Sequence, residues 1–206
     1  MTETYTTVER EATAEFEEKR SIFIGHAIPI KSADEAAEFI KAKKREFSDA
    51  THNVYAYILE GGRVAKYSDD GEPQGTAGMP VLDAIRKRGC TDVVVVVTRY
   101  FGGTLLGTGG LVHAYSTSAV GALNAAQVVV FDVYTELCVT CNYSDYQKIL
   151  PLFSECGFRE DKTDYGESVS VYGSILKSSA EGLVDSLIQA TSARAEVKII
   201  SEKYSI

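Results

Sequence analysis

The feature that most constrains this chain is a run of five valines, Val93 to Val97, continued by Thr98, Arg99 and Tyr100. A strand with one wet face alternates apolar and polar side chains, whereas an unbroken β-branched run requires cover on both faces. The chain therefore has to build a layered core around this strand. Two glycine-rich segments bracket it in sequence: Ser68-Asp-Asp-Gly-Glu-Pro-Gln-Gly-Thr-Ala-Gly78 before it and Phe101-Gly-Gly-Thr-Leu-Leu-Gly-Thr-Gly-Gly110 after it. Glycine serves where the backbone needs positive φ or where another body comes close to it, so paired loops of this kind suggest a site as well as turns.

The flanking patterns supply the layers. An alternating, partly exposed strand is expected over Thr6 to Lys19 and a more apolar one over Ser21 to Ile30, with Lys19-Arg20 at the turn between them. Ser32 and Glu35 have capping-box spacing for a helix reaching about Phe47, whose Lys41 and Arg45 read as a solvated face. His52 to Glu60 and Arg63 to Ser68 form a hairpin about Gly61-Gly62. Pro80 suits the first turn of a helix that closes on Arg86-Lys87-Arg88-Gly89, with cations at the negative end of its dipole. A last helical period starts at Leu111, giving a first domain over 1–128 in the order β-β-α-β-β-α-β-α. Residues 134–206 follow the order β-α-β-β-α-β of a ferredoxin-like domain, with Ser144/Gln147 and Ser178/Glu181 as capping boxes. The fold class is α+β.

Composition narrows the function classes. A net charge of −8 argues against a protein that coats nucleic acid non-specifically, although residues 19–99 hold 13 basic against 11 acidic side chains and leave room for a local positive face. No stretch approaches the roughly 20 apolar residues of a membrane span, and the polar N-terminus is unlike a secretory signal, so a cytoplasmic protein with reduced cysteines is expected. Cys138-Val-Thr-Cys141 has metal or redox spacing but falls in a strand, where residues three apart face opposite sides. His26, His52 and His113 lack metal-ligand spacing, so no metal and no cofactor is expected.

Each glycine segment precedes a helix, whose first N–H groups and positive dipole end attract anions. The run Gly102 to Thr108 has the glycines and hydroxyl of a phosphate loop without its lysine, and Gly107-Thr-Gly109-Gly carries two of the three glycines of a dinucleotide fingerprint. Arg99, Tyr100, Gly102, Gly103, Gly107 and Gly109, with Gly75, Thr76, Gly78 and His113, are the candidate anion or nucleic-acid site, Arg99 supplying its fixed charge. Asp69, Asp70 and Glu72, with His52 and Asn53, form a possible acidic site for a general base or a magnesium ion; Asp-Asp-Gly is equally turn chemistry.

The segments His52-Asn-Val-Tyr-Ala-Tyr57, Ser68 to Gly78 and Thr98 to Tyr115 resemble the signature segments of the YigZ/IMPACT family, and the resemblance covers essentially the whole chain. It implies a first domain similar to the second domain of ribosomal protein S5, a mixed sheet with helices and a left-handed β-α-β crossover. It also implies a second domain similar to the ferredoxin-like C-terminal domain of elongation factor G. Both analogies lead to RNA, the ribosome or a translation factor as partner. Eukaryotic members regulate translation initiation by competing for the activator of a starvation kinase, using an additional N-terminal domain for which 206 residues leave no room. His113 stands where many members have Arg or Lys, which would make anion affinity pH-sensitive. The expectation is a non-catalytic cytosolic binding protein linked to translation. A phosphate-handling or metal-assisted enzyme using Asp69, Asp70 and Glu72 is the alternative, and an adaptor binding protein through the second domain's sheet face is a further one.

Overall fold

A computed structural model of the chain describes residues 4–205; the polar N-terminal Met1 to Glu3, and Ile206, lie outside the described residues. The chain divides into two compact units, Thr4–Val130 and the remainder from Phe131.

In the first unit β1 (Thr4–Val8), β2 (Ala12–Glu18), β3 (Ser21–Pro29), α1 (Ala33–Glu46), β4 (His52–Leu59), β5 (Val64–Ser68), α2 (Gly78–Lys87), β6 (Val93–Tyr100) and α3 (Gly107–Ala125) follow in order. The alternating stretch after Thr6 is two strands, because the Glu9 and Arg10 N–H groups leave the sheet for the carbonyls of Gln127 and Ala126 beyond α3. The five-stranded sheet has the order β2-β3-β6-β4-β5. Each hydrogen-bonded pair in it is antiparallel; the β-α-β unit β3-α1-β4 runs parallel only across the intervening β6.

The valine run occupies the centre of this sheet, as its composition requires. Val93, Val95 and Val97 join the core made with α2 and α3, while Val94 and Val96 join Ala36 and Ile40 of α1 on the other face. Gly25 lets α3 lie against β3: a Cβ there would sit 2.6 Å from the Ser118 carbonyl oxygen. Ser32 caps α1 by accepting from the Glu35 N–H at 3.2 Å, and Glu35 answers with a carboxylate on the Lys31 N–H.

The second unit contains β7 (Val128–Cys141, which leads into it), α4 (Tyr143–Cys156), β8 (Arg159–Tyr165), β9 (Val169–Leu176), α5 (Lys177–Thr191) and β10 (Glu196–Ser205). Antiparallel pairing in the order β10-β7-β9-β8 is the ferredoxin-like arrangement. Its helix starts differ from the expected capping boxes. Asn142, not Ser144, caps α4 by accepting from the Asp145 N–H, and α5 starts after Leu176 with no side-chain cap. Buried Asp145 is held well below the usual carboxylate range by Arg194 and Lys148. Cys141 joins the core while Cys138 lies on the opposite face, and all four cysteines are free. Among the described residues no helix is long and apolar enough to cross a membrane.

One buried group gives the first unit a pH signature. His26 is 2% exposed, packs against Phe47 with the rings tilted by 37° and their centroids 5.0 Å apart, and has no partner for Nε2. Burial, and secondarily Lys43, lower its pKa from 6.5 to about 4 against a smaller upward pull from Glu46. Between these values the unfolded chain holds a proton that the folded chain does not, so stability falls as pH drops through this window. Replacing His26 with Gln is expected to remove up to about 2.5 kcal/mol of the stability difference between pH 6.5 and 4.5, read from urea unfolding at both pH values. Parallel pH profiles for the two proteins would contradict it.

Candidate functional site at the glycine-loop end of the first sheet

Strand registers bring the sequence candidates to one end of the sheet. His52 opposes Arg99, Ser68 opposes Tyr55, and Ile22, just past the Lys19-Arg20 turn, opposes Tyr100. Both glycine segments and that turn therefore leave the sheet at the same end.

The first segment is folded around its own carboxylates. Asp69 accepts from the N–H groups of Gly75 at 2.9 Å, Ala77 at 3.2 Å and Gly78 at 2.8 Å, so the open N-terminus of α2 is filled from inside the chain. Thr76 is buried and donates to the Pro73 carbonyl at 2.7 Å. Gly78 is required by crowding, since a Cβ would meet the Ser68 backbone at 2.7 Å. Asp70 accepts from the Asn53 N–H at 2.6 Å and from Lys44 Nζ at 2.5 Å. The anion surface expected at Gly75, Thr76 and Gly78 is thus occupied by Asp69, and Asp69 and Asp70 are committed to building the loop.

Glu72 goes deeper. Its Oε1 lies 2.6 Å from Arg99 Nη1 and accepts from the Tyr115 hydroxyl at 2.7 Å, with His52 Nε2 at 3.7 Å. His52 Nδ1 donates to the Asp70 carbonyl at 2.8 Å, an acceptor that fixes the proton on Nδ1 in the neutral ring and leaves Nε2 facing Glu72. Burial, and then the bond to Glu72, push the Tyr115 phenol far above its ordinary pKa. Asn53 ties the floor together, accepting from the Thr98 hydroxyl at 2.7 Å and donating to the Phe47 carbonyl at 3.2 Å. Arg99 is 5% exposed and its guanidinium lies between the Phe23 and Phe101 rings, 5.4 and 5.6 Å from their centroids. The fixed surface charge expected of Arg99 is instead an internal one. Among the described residues, no group of three or more His, Cys, Asp or Glu side chains is placed to hold a metal ion.

The second segment is open. Helix α3 begins at Gly107, so the residues read as loop up to Gly110 form its first turn, and its cap residue Leu106 has no side-chain bond to offer. Gly103 and Gly107 have φ of 81° and 71°, which explains them. Gly109 has no such φ, and a Cβ added to it would meet nothing within 4 Å. Gly102 packs where a Cβ would lie 2.0 Å from the Arg20 carbonyl, and Arg20 itself donates to the Thr104 hydroxyl at 3.1 Å. Sequence reasoning placed Arg20 only in a turn. Its single local signal was the Lys19-Arg20 pair, and both residues have positive φ. Tyr100 donates to Asp49 at 2.9 Å, and exposed His113 meets Phe16 edge-on at 6.4 Å. Phe101 and Leu105 stand out at 46% and 84% exposure beside the open turn.

Residues 19–123 match the Impact N-terminal domain, and residues 139–194 match a domain of unknown function (DUF1949). The chain is 34% identical over 199 residues to the IMPACT family member YvyE of Bacillus subtilis (strain 168), covering 96% of this chain and 92% of that one. It is 34% identical over 150 residues to the IMPACT family member YigZ of Escherichia coli (strain K12), covering 71% and 74%. A solved crystal structure described only as that of a hypothetical protein superposes with a TM-score of 0.61 at 28% identity, covering 98% of this chain and 99% of that one.

The Glu72–Arg99 pair has a measurable consequence. Glu72→Gln leaves the buried guanidinium without its counter-charge and is expected to cost about 3–5 kcal/mol in chemical unfolding. The double replacement Glu72→Leu with Arg99→Met should recover a large part of that loss. A single variant as stable as the parent would show that the pair does not hold the loop.

Proposed function

We propose, from the premise that this chain belongs to the IMPACT family, that it is a binding protein with a translation-related regulatory role that grips an RNA phosphate backbone with the first turn of α3. The observation that carries this reading is the contrast between two helix starts at one end of one sheet. Asp69 fills the start of α2, whereas no side chain caps the start of α3. Gly109 costs helix stability of about 1 kcal/mol relative to Ala. Neither φ nor crowding within the chain requires it. A bare backbone there suits close approach by an outside anion, and Arg20, tethered through Thr104, supplies a positive charge at its side. The fold analogy that the family resemblance implies, with parts of ribosomal protein S5 and elongation factor G, is what suggests RNA as the partner. With Asp69, Asp70 and Glu72 engaged in folding the first segment, binding is favoured over catalysis.

Exposed Leu105 and Phe101 beside the same turn favour, as a second reading, a protein component of the translation machinery. Anisotropy with a ribosomal RNA fragment and co-sedimentation with ribosomes, each across a salt series, test both. Gly109→Ala is expected to stabilise the fold by up to about 1 kcal/mol while weakening binding about tenfold or more. Arg20→Ala should reduce the salt slope by about one. Unchanged affinity in both variants overturns the RNA reading, and a partner retained after nuclease treatment supports the protein one.

A further inference from the structure

At the opposite end of the first sheet lies a cavity of about 460 Å³. Its walls come from β1, the β4–β5 connection and the C-terminal end of α2 with the residues after it. This volume falls within the roughly 300–1,000 Å³ of small-molecule sites. The wall is amphipathic. Ile58, Ala65, Cys90 and Val130 supply apolar surface, and Thr4, Tyr5 and Thr6 of β1, with Arg86 and Thr91, supply polar groups. Gly61, Gly62 and Gly89 put no side chain into the space, and a Cβ on any of them would meet nothing within 4 Å.

The polar groups point to one kind of ligand. Thr91 is 5% exposed, and its hydroxyl oxygen already accepts from the Gly61 N–H at 3.0 Å, which leaves the hydroxyl proton free to donate. The half-exposed Arg86 guanidinium pairs with Asp83 at 3.6 Å, beyond hydrogen-bond length. Two donors with hydrogen-bonding capacity to spare, on a wall that also presents Ile58, Ala65 and Val130, suit a molecule with an apolar body and an acceptor head. A guanidinium pairs bidentately with a planar carboxylate. Burial raises the Cys90 thiol above its ordinary pKa, so that wall residue stays neutral.

We infer that this cavity is a second ligand site, for a small aliphatic carboxylate whose head meets Arg86 and Thr91 and whose chain lies against Ile58, Ala65 and Val130. It stands independently of the glycine-loop reading, since it shares no residue with that end of the sheet.

The test uses the full chain and three probes: hexanoate, hexanol and acetate. Amide resonances of Gly61, Gly62, Gly89 and Thr91 are followed by nitrogen–proton correlation spectra during titration. Saturable shifts with hexanoate are expected, at least about tenfold weaker with hexanol, which lacks the charge, and with acetate, which lacks the chain. Arg86→Gln, at a half-exposed position, should raise the hexanoate Kd about tenfold while the chain still unfolds in one cooperative transition. Ala65→Leu, at an exposed position on the wall, should weaken hexanoate by narrowing the space. The inference is overturned if hexanoate gives no saturable shift at these amides. It is equally overturned if hexanol matches hexanoate, or if both variants bind as the parent does.

Discussion

Arg99 sits 5% exposed at the end of a strand whose valines are fully buried, and a guanidinium in that position is tolerable because Glu72 lies 2.6 Å away. Glu72 belongs to the first glycine segment, so the charge pair fixes that segment against β6. The Tyr115 hydroxyl then fixes the same carboxylate against α3. One oxygen thereby joins strand, loop and helix. Asp69 and Asp70 on the near side of Glu72 complete the fastening by holding the loop's own N–H groups, and the Asn53 N–H of β4. The acidic residues that look like an active site in sequence fasten the first glycine segment to α2, β4, β6 and α3.

That arrangement distinguishes two helix starts that share one physical character. Both begin after glycine-rich segments and both present N–H groups with a positive dipole end. The start of α2 meets a carboxylate supplied by its own chain, and that of α3 meets no capping side chain. Under the proposed function, a helix start without a side-chain cap, already held in place by the sheet end, would take up an anion without first having to order itself. The frame itself is the sheet end where Arg20, Gly102 and Ser21 interlock: Ser21 accepts from the Gly102 N–H at 3.2 Å, and Gly102 lies against the Arg20 backbone.

Features set by local pattern were legible before any coordinates. The unbroken valines implied a strand covered on both faces, Ser32 and Glu35 implied a capped helix, and the β-α-β-β-α-β order implied the second unit. Each of these rests on neighbours within one or two turns. The errors were also local in origin. Ser144 has the right spacing for a cap, yet Asn142 wins because its side chain reaches the Asp145 N–H at 2.8 Å. Alternation predicts one long strand because it continues past the point where Glu9 and Arg10 bond to the end of α3.

The amino-acid order by itself determined the fold class, the central strand and the placing of glycine at strand-to-helix junctions, since periodicity and backbone freedom act between near neighbours. Only the tertiary structure decided which junction stays open and where charge is available. Asp69 reaches Gly78 across 9 residues, Arg99 finds Glu72 across 27, and Arg20 finds Thr104 across 84. Pairings at such separations leave no periodic trace in the chain; they exist because packing both faces of the valine strand draws distant loops to the same end of the sheet.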